Sequence, residues 1–422
     1  MMAAKWQKLQ CSRSQLCLET VLTGGQSFRW KRNDRDEWMG VISGCVWRLK
    51  QTDEHLLYQV YSPEDKAKVK VDKAPIKSDK LTLCPPFAKE SLKASRRNGK
   101  RRQVKDEPSA GFDTPVMKRV KEEASENDEI VSQSLGLNGF TKLTDLINTD
   151  DDDSSTKAIL RDYFQLDTNL DQLYSEWSSK DDHFKKVASS FRGIRILRQD
   201  PVENLVSFVC SSNNHISRIS SMVEKLCTHY GHLITSVDEK DFYAFPPLSA
   251  LTGDEVETTL RQLGFGYRAK FISSIAKTVC EEKDPGWLSS LRGRSYTEAK
   301  TELMTLMGVG AKVADCVCLM SLDKPGAVPV DTHVWQITLR HYMASLQKAK
   351  SLTERIYNQI GDFYRDLWGP YAGWAHSVLF TADLRHNKDK GASASKNEKT
   401  KCDTDSKKIS KSTAKRTKKV KT

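Results

Sequence analysis

The spacing of apolar positions changes once along this chain. Up to Tyr61 they fall in short runs rich in aromatic and β-branched residues, GQSFRWKR, EWMGVIS, CVWRLKQ and HLLYQVYS, parted by turn chemistry such as Ser43-Gly44. Such runs predict strands joined as an antiparallel sheet. From Lys157 the period turns helical and stays so through TKAILRDYFQL, PVENLVSFVCSS, ISRISSMVEKLCTHY, RAKFISSIAKTVCEE, YTEAKTELMTLM, AKVADCVCLMSL, VDTHVWQITLRHY, LTERIYNQIGDFYRDLW and YAGWAHSVLFTADLR. These predict a helical bundle. Start signals agree: Asp200 offers an N-cap with proline at the first helical position, and Asp331 offers one after Pro329-Val330.

Between the two patterns, about 90 residues after Tyr61 carry Lys, Arg, Glu, Ser and Pro with few aromatics, including SRRNGKRRQVKDEP and the acid run Asp150 to Asp153. Beyond Arg385 the chain turns to Lys, Ser and Thr and ends KSTAKRTKKVKT. Neither stretch has the apolar content to repay the entropy of ordering. The expected organisation is a sheet domain over 1–61 plus 155–198, a disordered charged insertion over 62–154, a helical domain over 199–385 and a disordered basic tail over 386–422.

Charge narrows the partners. The 422 residues carry 67 Lys and Arg against 55 Asp and Glu, a net charge of +12, which favours a polyanionic partner such as nucleic acid or an acidic membrane surface. No apolar run approaches the roughly 18 residues of a membrane span, so no membrane partner is expected. The ten cysteines scatter without framework spacing, and neither zinc nor an iron–sulfur cluster finds four suitably spaced ligands, so no metal or cofactor is expected. The N-terminus lacks the apolar core of a secretory signal; Lys5, Lys8 and Arg13, with no acid before Glu19, leave a mitochondrial presequence open. Basic clusters at Arg96 to Arg102 and Lys415 to Lys419 fit nuclear import or phosphate contacts. The expected location is the nucleus with a mitochondrial fraction.

One lysine stands out. TLMGVGAKVADCVCLM sets the turn Gly308-Val309-Gly310 before a helix whose Val313, Ala314, Val317 and Met320 form an apolar stripe. Bare N–H groups at that helix start favour an anion, plausibly a DNA phosphate in a basic protein, and both glycines are expected to use close approach and positive φ. Lys312 lies in the first turn, and Cys316, four residues on, shares its face. Near a positive helix end and partly desolvated, the lysine is expected to titrate below its ordinary value and to serve as a nucleophile. A plain helix hairpin, with the lysine reaching out to phosphate or solvent, remains the other reading. Asp331 can cap its helix and still present a carboxylate near the amine.

The hairpin with Lys312 and the later VPVDTH resemble the helix-hairpin-helix glycosylase superfamily. GGQSFRW, CSSNNHISRI, LGFGYRAKF, GVGAKVADC, VPVDTHVW and WGPYAGWAHSVLFTADLR, in that order, resemble the eukaryotic 8-oxoguanine DNA glycosylase/AP lyase family over roughly 5 to 61 and 156 to 385. The resemblance implies an α+β protein, an N-terminal antiparallel sheet of the TBP-like kind with a predominantly helical helix-hairpin-helix glycosylase domain. The same resemblance implies that it acts as a monomer on double-stranded DNA containing 8-oxoguanine and that it also removes formamidopyrimidine-guanine. By position, Lys312 becomes the nucleophile on the sugar C1′ and the Schiff base. Asp331 becomes the carboxylate that stabilises the sugar cation.

The resemblance further implies that the base is extruded, a rule for enzymes that work on a duplex base. The Gly25 carbonyl then accepts from N7–H, Cys316 and Phe380 sandwich the ring, and position 376 reads the base edge. That position is usually glutamine; His376 offers one donor and one acceptor when neutral, at shorter reach, so excision is expected to be retained but weaker. Asn213, Arg218 and Arg268 are assigned to the orphaned cytosine, Tyr267 to a wedge, and His333 and Gly308, Val309 and Gly310 to phosphates. Asn213 and Arg218 are expected on adjoining helix starts. Met307 replaces a proline common before the hairpin glycine. The competing class is a noncatalytic DNA-damage-binding hairpin protein; tail and insertion could serve repair-protein partners.

Overall fold

The computed structural model describes residues 5–63 and 152–384. Of the insertion read over 62–154, only 62–63 and 152–154 are described, and the last three open a helix where disorder is expected; the rest of it, Asp150 and Asp151 of the acid run, both basic clusters and the tail lie outside the described residues.

Strands β1 (Gln7–Gln10), β2 (Lys31–Arg32), β3 (Trp38–Ile42), β4 (Cys45–Gln51) and β5 (His55–Tyr61) form one sheet in the order β1-β5-β4-β3-β2, with helix α1 (Leu18–Thr23) between β1 and β2. Every pairing is antiparallel. Aromatic and branched residues face each other across the ladder, as at Leu49↔Tyr58 and Trp47↔Val60, where the pleated surface favours them. Helix α2 (Asp152–Tyr163) closes this core. Leu160 and Phe164 are buried with Trp47, Leu49 and Tyr58, and Trp30 Nε1 donates to Tyr163 Oη at 2.9 Å.

The expected strand GQSFRWKR is a strand only at Lys31–Arg32. Upstream of it, Gln26 replaces ladder bonds with its own amide. Its Nε2 donates to the Arg195 carbonyl and its Oε1 accepts from Leu197 N–H, both at 2.9 Å, while Gln199 Nε2 reaches the Gln26 carbonyl at 3.0 Å. The segment is thereby pinned to residues 195–199 with its backbone left irregular, and Gly25 beside it takes φ +78°.

The helical half runs through α3 (Leu170–Lys180), α4 (Asp182–Ala188), α5 (Pro201–Ser211), α6 (Ile216–Tyr230), α7 (Val256–Gln262), α8 (Arg268–Lys277), α9 (Tyr296–Met304), α10 (Ala311–Ser321), α11 (Thr332–His341), α12 (Glu354–Trp368) and a last helix α13 over 372–384. Asp200 caps α5 as expected, its Oδ1 accepting from Val202 and Glu203 N–H at 2.9 Å. A two-stranded hairpin, β6 (Leu233–Val237) with β7 (Lys240–Tyr243), interrupts the helices and carries Met39 and Val46 of the sheet in a third small core. Residues 155–198 divide between cores. Leu160 to Phe164 pack with the sheet, whereas Leu170, Trp177, Phe184 and Ile196 pack with the bundle.

Candidate active site

The floor of the site is the turn between α9 and α10. A capping box, Ser295 with Glu298, starts α9. Gly308 turns the chain at φ +84°, and a Cβ there would lie 2.4 Å from the Phe271 ring, so the position needs both the left-handed backbone and the missing side chain. Gly310 departs from the expectation: at φ −93° and ψ 178° it is extended backbone that any residue adopts. A Cβ on Gly310 would meet nothing within 4 Å, so this residue opens the approach to a helix start that has no side-chain cap. Val309 is buried and anchors the turn.

Lys312 projects from that first turn. Its Nζ donates to Ser211 Oγ at 3.2 Å and lies 4.9 Å from the Phe208 ring centroid, so α5 supplies the wall the amine leans on. The Cys316 thiol feels the charge of the same lysine, which lowers its pKa; burial, the larger influence, pushes the thiol up to about 11 and keeps it protonated. The shared face read from i, i+4 spacing is therefore real. The rest of the helix goes inward, with Val313, Ala314, Val317 and Met320 all buried. Phe208 and Ser211 were not singled out from the sequence. The only signal was their three-residue spacing on one face of PVENLVSFVCSS.

Asp331 is the N-cap of α11. Its Oδ1 accepts from His333 N–H at 2.9 Å and Val334 N–H at 3.0 Å, which fixes the carboxylate and leaves Oδ2 outside the cap. Its negative charge raises the pKa of both the Cys316 thiol and the His376 ring. His333 Nδ1 pairs with Asp383 at 3.1 Å, and Arg340 donates to the other Asp383 oxygen at 2.6 Å.

That opposite wall joins Gly25 to α13. A Cβ on Gly25 would lie 3.4 Å from Ile216 Cδ1 and 4.0 Å from Phe380 Cε1. Half-buried Phe380 stacks with His376, centroids 6.2 Å apart and planes 26° from parallel, and meets His333 edge-on. His376 is 7% exposed, and neither ring nitrogen has a protein hydrogen-bond partner. Burial lowers its pKa to about 4, against the opposing pull of Asp331 and the nearby Gly373 carbonyl, so the ring is neutral at physiological pH.

A third group gathers at the end of α5. Asn213 is exposed at φ +47° just past that helix, a helix end and not the expected start, where an asparagine tolerates the left-handed backbone. Arg218 lies in the first turn of α6, with Nη2 3.5 Å from the Gly264 carbonyl. Arg268 is only 3% exposed: Nη2 donates to the Ser212 and Asn213 carbonyls, and its guanidinium lies 4.5 Å from the Tyr267 ring centroid. It acts here as a clamp on the Asn213 turn. Tyr267 is 47% exposed and donates to the Ser212 carbonyl at 3.0 Å. Thus Tyr267 and Arg268 meet the turn at Ser212 and Asn213 from some 55 residues along the chain, while Arg218 reaches toward Gly264 from the next helix start.

A lysine on the first turn after a glycine turn between helices and a helix-capping carboxylate whose charge acts on the same thiol as the lysine, in a basic protein, define a helix-hairpin-helix DNA glycosylase. A family model for the 8-oxoguanine DNA glycosylase N-terminal domain matches residues 8–205, and one for the HhH-GPD superfamily of base excision DNA repair proteins matches 206–361. The N-glycosylase/DNA lyase of Saccharomyces cerevisiae is 32% identical over 407 residues, 91% of this chain and 87% of the relative. An N-glycosylase/DNA lyase of Arabidopsis thaliana is 42% identical over 232 residues, 54% of this chain and 63% of the relative, less than two thirds of its length. The fold is shared with the Clostridium acetobutylicum 8-oxoguanine glycosylase/lyase solved with double-stranded DNA containing cytosine opposite 8-oxoG, at TM-score 0.60 and 22% identity over 92% of this chain and 100% of that one. The chain belongs to the eukaryotic 8-oxoguanine DNA glycosylase family and is a DNA glycosylase with AP lyase activity.

Proposed function

We propose that the chain excises 8-oxoguanine, and formamidopyrimidine-guanine, opposite cytosine in duplex DNA, acting as a monomer in the nucleus with a mitochondrial fraction. The extruded base enters between the Gly25–Phe380 wall and Cys316. His376 meets the base edge as a neutral ring with one donor and one acceptor. The Gly25 carbonyl accepts the N7–H that unoxidised guanine lacks. Asn213, Arg218 and the Arg268-held turn face the orphaned cytosine, with Tyr267 as a wedge. His333 and the open N-terminus of α10, reached across Gly308, Val309 and Gly310, face backbone phosphates.

Reaction begins when the free amine of Lys312 attacks the sugar C1′. The glycosidic bond breaks, the base leaves with its electron pair, and the Asp331 carboxylate stabilises the positive charge that develops on the sugar. Loss of the amine protons and ring opening give a Schiff base, and loss of a C2′ proton expels the 3′ phosphate by β-elimination. The observation that carries this reading is the Lys312 amine held by Ser211 over Phe208, beside a thiol and a cap aspartate. A solvated phosphate grip needs none of these neighbours.

The deciding assay uses duplexes with 8-oxoguanine opposite each of the four bases, with and without borohydride. Strand cleavage and a covalent adduct on the 8-oxoguanine:cytosine duplex, both lost in Lys312→Gln, are expected. Binding without trapping or cleavage would instead make this a noncatalytic damage-binding protein.

A further inference from the structure

Asp315 sits three residues after Lys312 on α10, yet points away from the cleft and is fully buried. Three groups converge on it. Tyr296 Oη donates to Oδ1 at 2.7 Å, Tyr357 Oη donates to Oδ2 at 2.5 Å, and Lys300 Nζ lies 3.0 Å from Oδ2. The ammonium also lies 5.0 Å from the Tyr357 ring centroid and 5.4 Å from that of Tyr296, so the charge is matched inside a closed aromatic cage. Arg365 covers Tyr296 from outside at 5.4 Å.

The two tyrosines differ in what else they touch. Tyr296 Oη takes its second bond from Lys300 at 3.2 Å, inside the cage. Tyr357 Oη instead accepts from the Val330 backbone N–H at 3.3 Å, and Val330 is buried immediately before Asp331. A phenol has one proton to give. Here burial and the Asp315 carboxylate both hold that proton on Tyr357, so the hydroxyl gives it to Asp315 and uses its lone pairs for Val330. One carboxylate thus fastens the helix that carries Lys312 and, through one hydroxyl, the peptide that leads into Asp331.

We propose that Asp315 and Tyr357 are positioning residues that set where Asp331 stands relative to Lys312 during the reaction. The Asp331 cap fixes the carboxylate on α11, but α11 itself is registered against α10 by this Asp315–Tyr357–Val330 bridge. Neither residue touches DNA. The inference rests on the reading of Asp331 as the cation-stabilising carboxylate.

The full chain is compared with Tyr357→Phe, Tyr296→Phe and Asp331→Asn by single-turnover excision on an 8-oxoguanine:cytosine duplex, by duplex Kd and by thermal midpoint. Both tyrosine variants lose one bond to Asp315, so both midpoints fall. Only Tyr357→Phe is expected to slow the chemical step, by about tenfold for a sub-ångström misplacement, with Kd unchanged. Parental rates in Tyr357→Phe, or equal slowing in both tyrosine variants, overturn the proposal. Should Tyr357→Phe not fold, Asp315→Asn, which leaves one oxygen for the phenol, is expected to slow the step in the same direction, and a parental rate there overturns it as well. A fully active Asp331→Asn would instead overturn the reading of Asp331, whichever way the tyrosine variants behave.

Discussion

The two sides of the cleft are built differently. On the proposed reaction side the reacting groups are held by the protein: Lys312 by Ser211, and one Asp331 oxygen by two backbone N–H groups. On the reading side His376 is buried with both ring nitrogens unbonded, and Gly25 keeps open a space that Ile216 and Phe380 border. Groups that must be fixed in the transition state are pre-organised by their own neighbours. The group proposed to read a base edge is left unsatisfied, and burying an unpaired polar group costs about 1 to 3 kcal/mol, which a matching edge would return. On the proposed function, the contrast assigns rate and affinity to separate sets of residues.

Variants can break or sharpen that division. The largest effect is expected from Lys312→Gln, which removes the nucleophile: borohydride trapping is abolished and excision falls by about a thousandfold or more, while the duplex Kd stays near parental. Asp331→Asn keeps the cap, because asparagine caps a helix as well as aspartate does, but loses the charge. A rate loss of about a hundredfold is expected with a change in unfolding free energy below about 1 kcal/mol, read from denaturant titration. Phe380→Ala, on the reading side, should weaken binding of the lesion duplex by about tenfold through lost stacking, measured as Kd, and leave the rate at saturation within a few-fold of parental.

His376 gives the smallest and most specific effect. Its folded pKa of about 4 lies below the ordinary 6.5. Between those values the unfolded chain binds a proton that the folded chain does not, so stability falls as pH drops from 7 towards 4 and is regained as it rises. The loss on going from pH 7 to pH 5 is about 2 kcal/mol, and His376→Gln should remove it, flattening the thermal midpoint over that range. The same variant should tighten lesion binding, since glutamine has the longer reach. Unchanged kinetics and affinity in His376→Gln would show that histidine reads the edge at no cost.

Local pattern carried much of this site. The i, i+4 spacing of Lys312 and Cys316, the cap at Asp331 and the left-handed turn at Gly308 each depend on residues within a few positions of one another, and each is present in the fold. Where the expectation concerned a partner far along the chain, it fared differently. Arg268, assigned by the resemblance to the orphaned cytosine, is buried with its guanidinium clamped on the turn at Ser212 and Asn213. The run GQSFRWKR reads as a strand yet mostly gives way to the Gln26 bridge. Nothing near Asp315 in sequence announces a carboxylate held by α9 and α12 at once.

The order of residues by itself determined the sheet runs, most of the helices, their caps and the glycine turn, because apolar period, capping and backbone preference act over one or two turns of chain. Only the tertiary structure decided which buried polar side chains meet. A hydrogen bond needs its partner within about 3.5 Å whatever the distance along the chain, and Tyr357 finds Asp315 only after α12 has packed against α10.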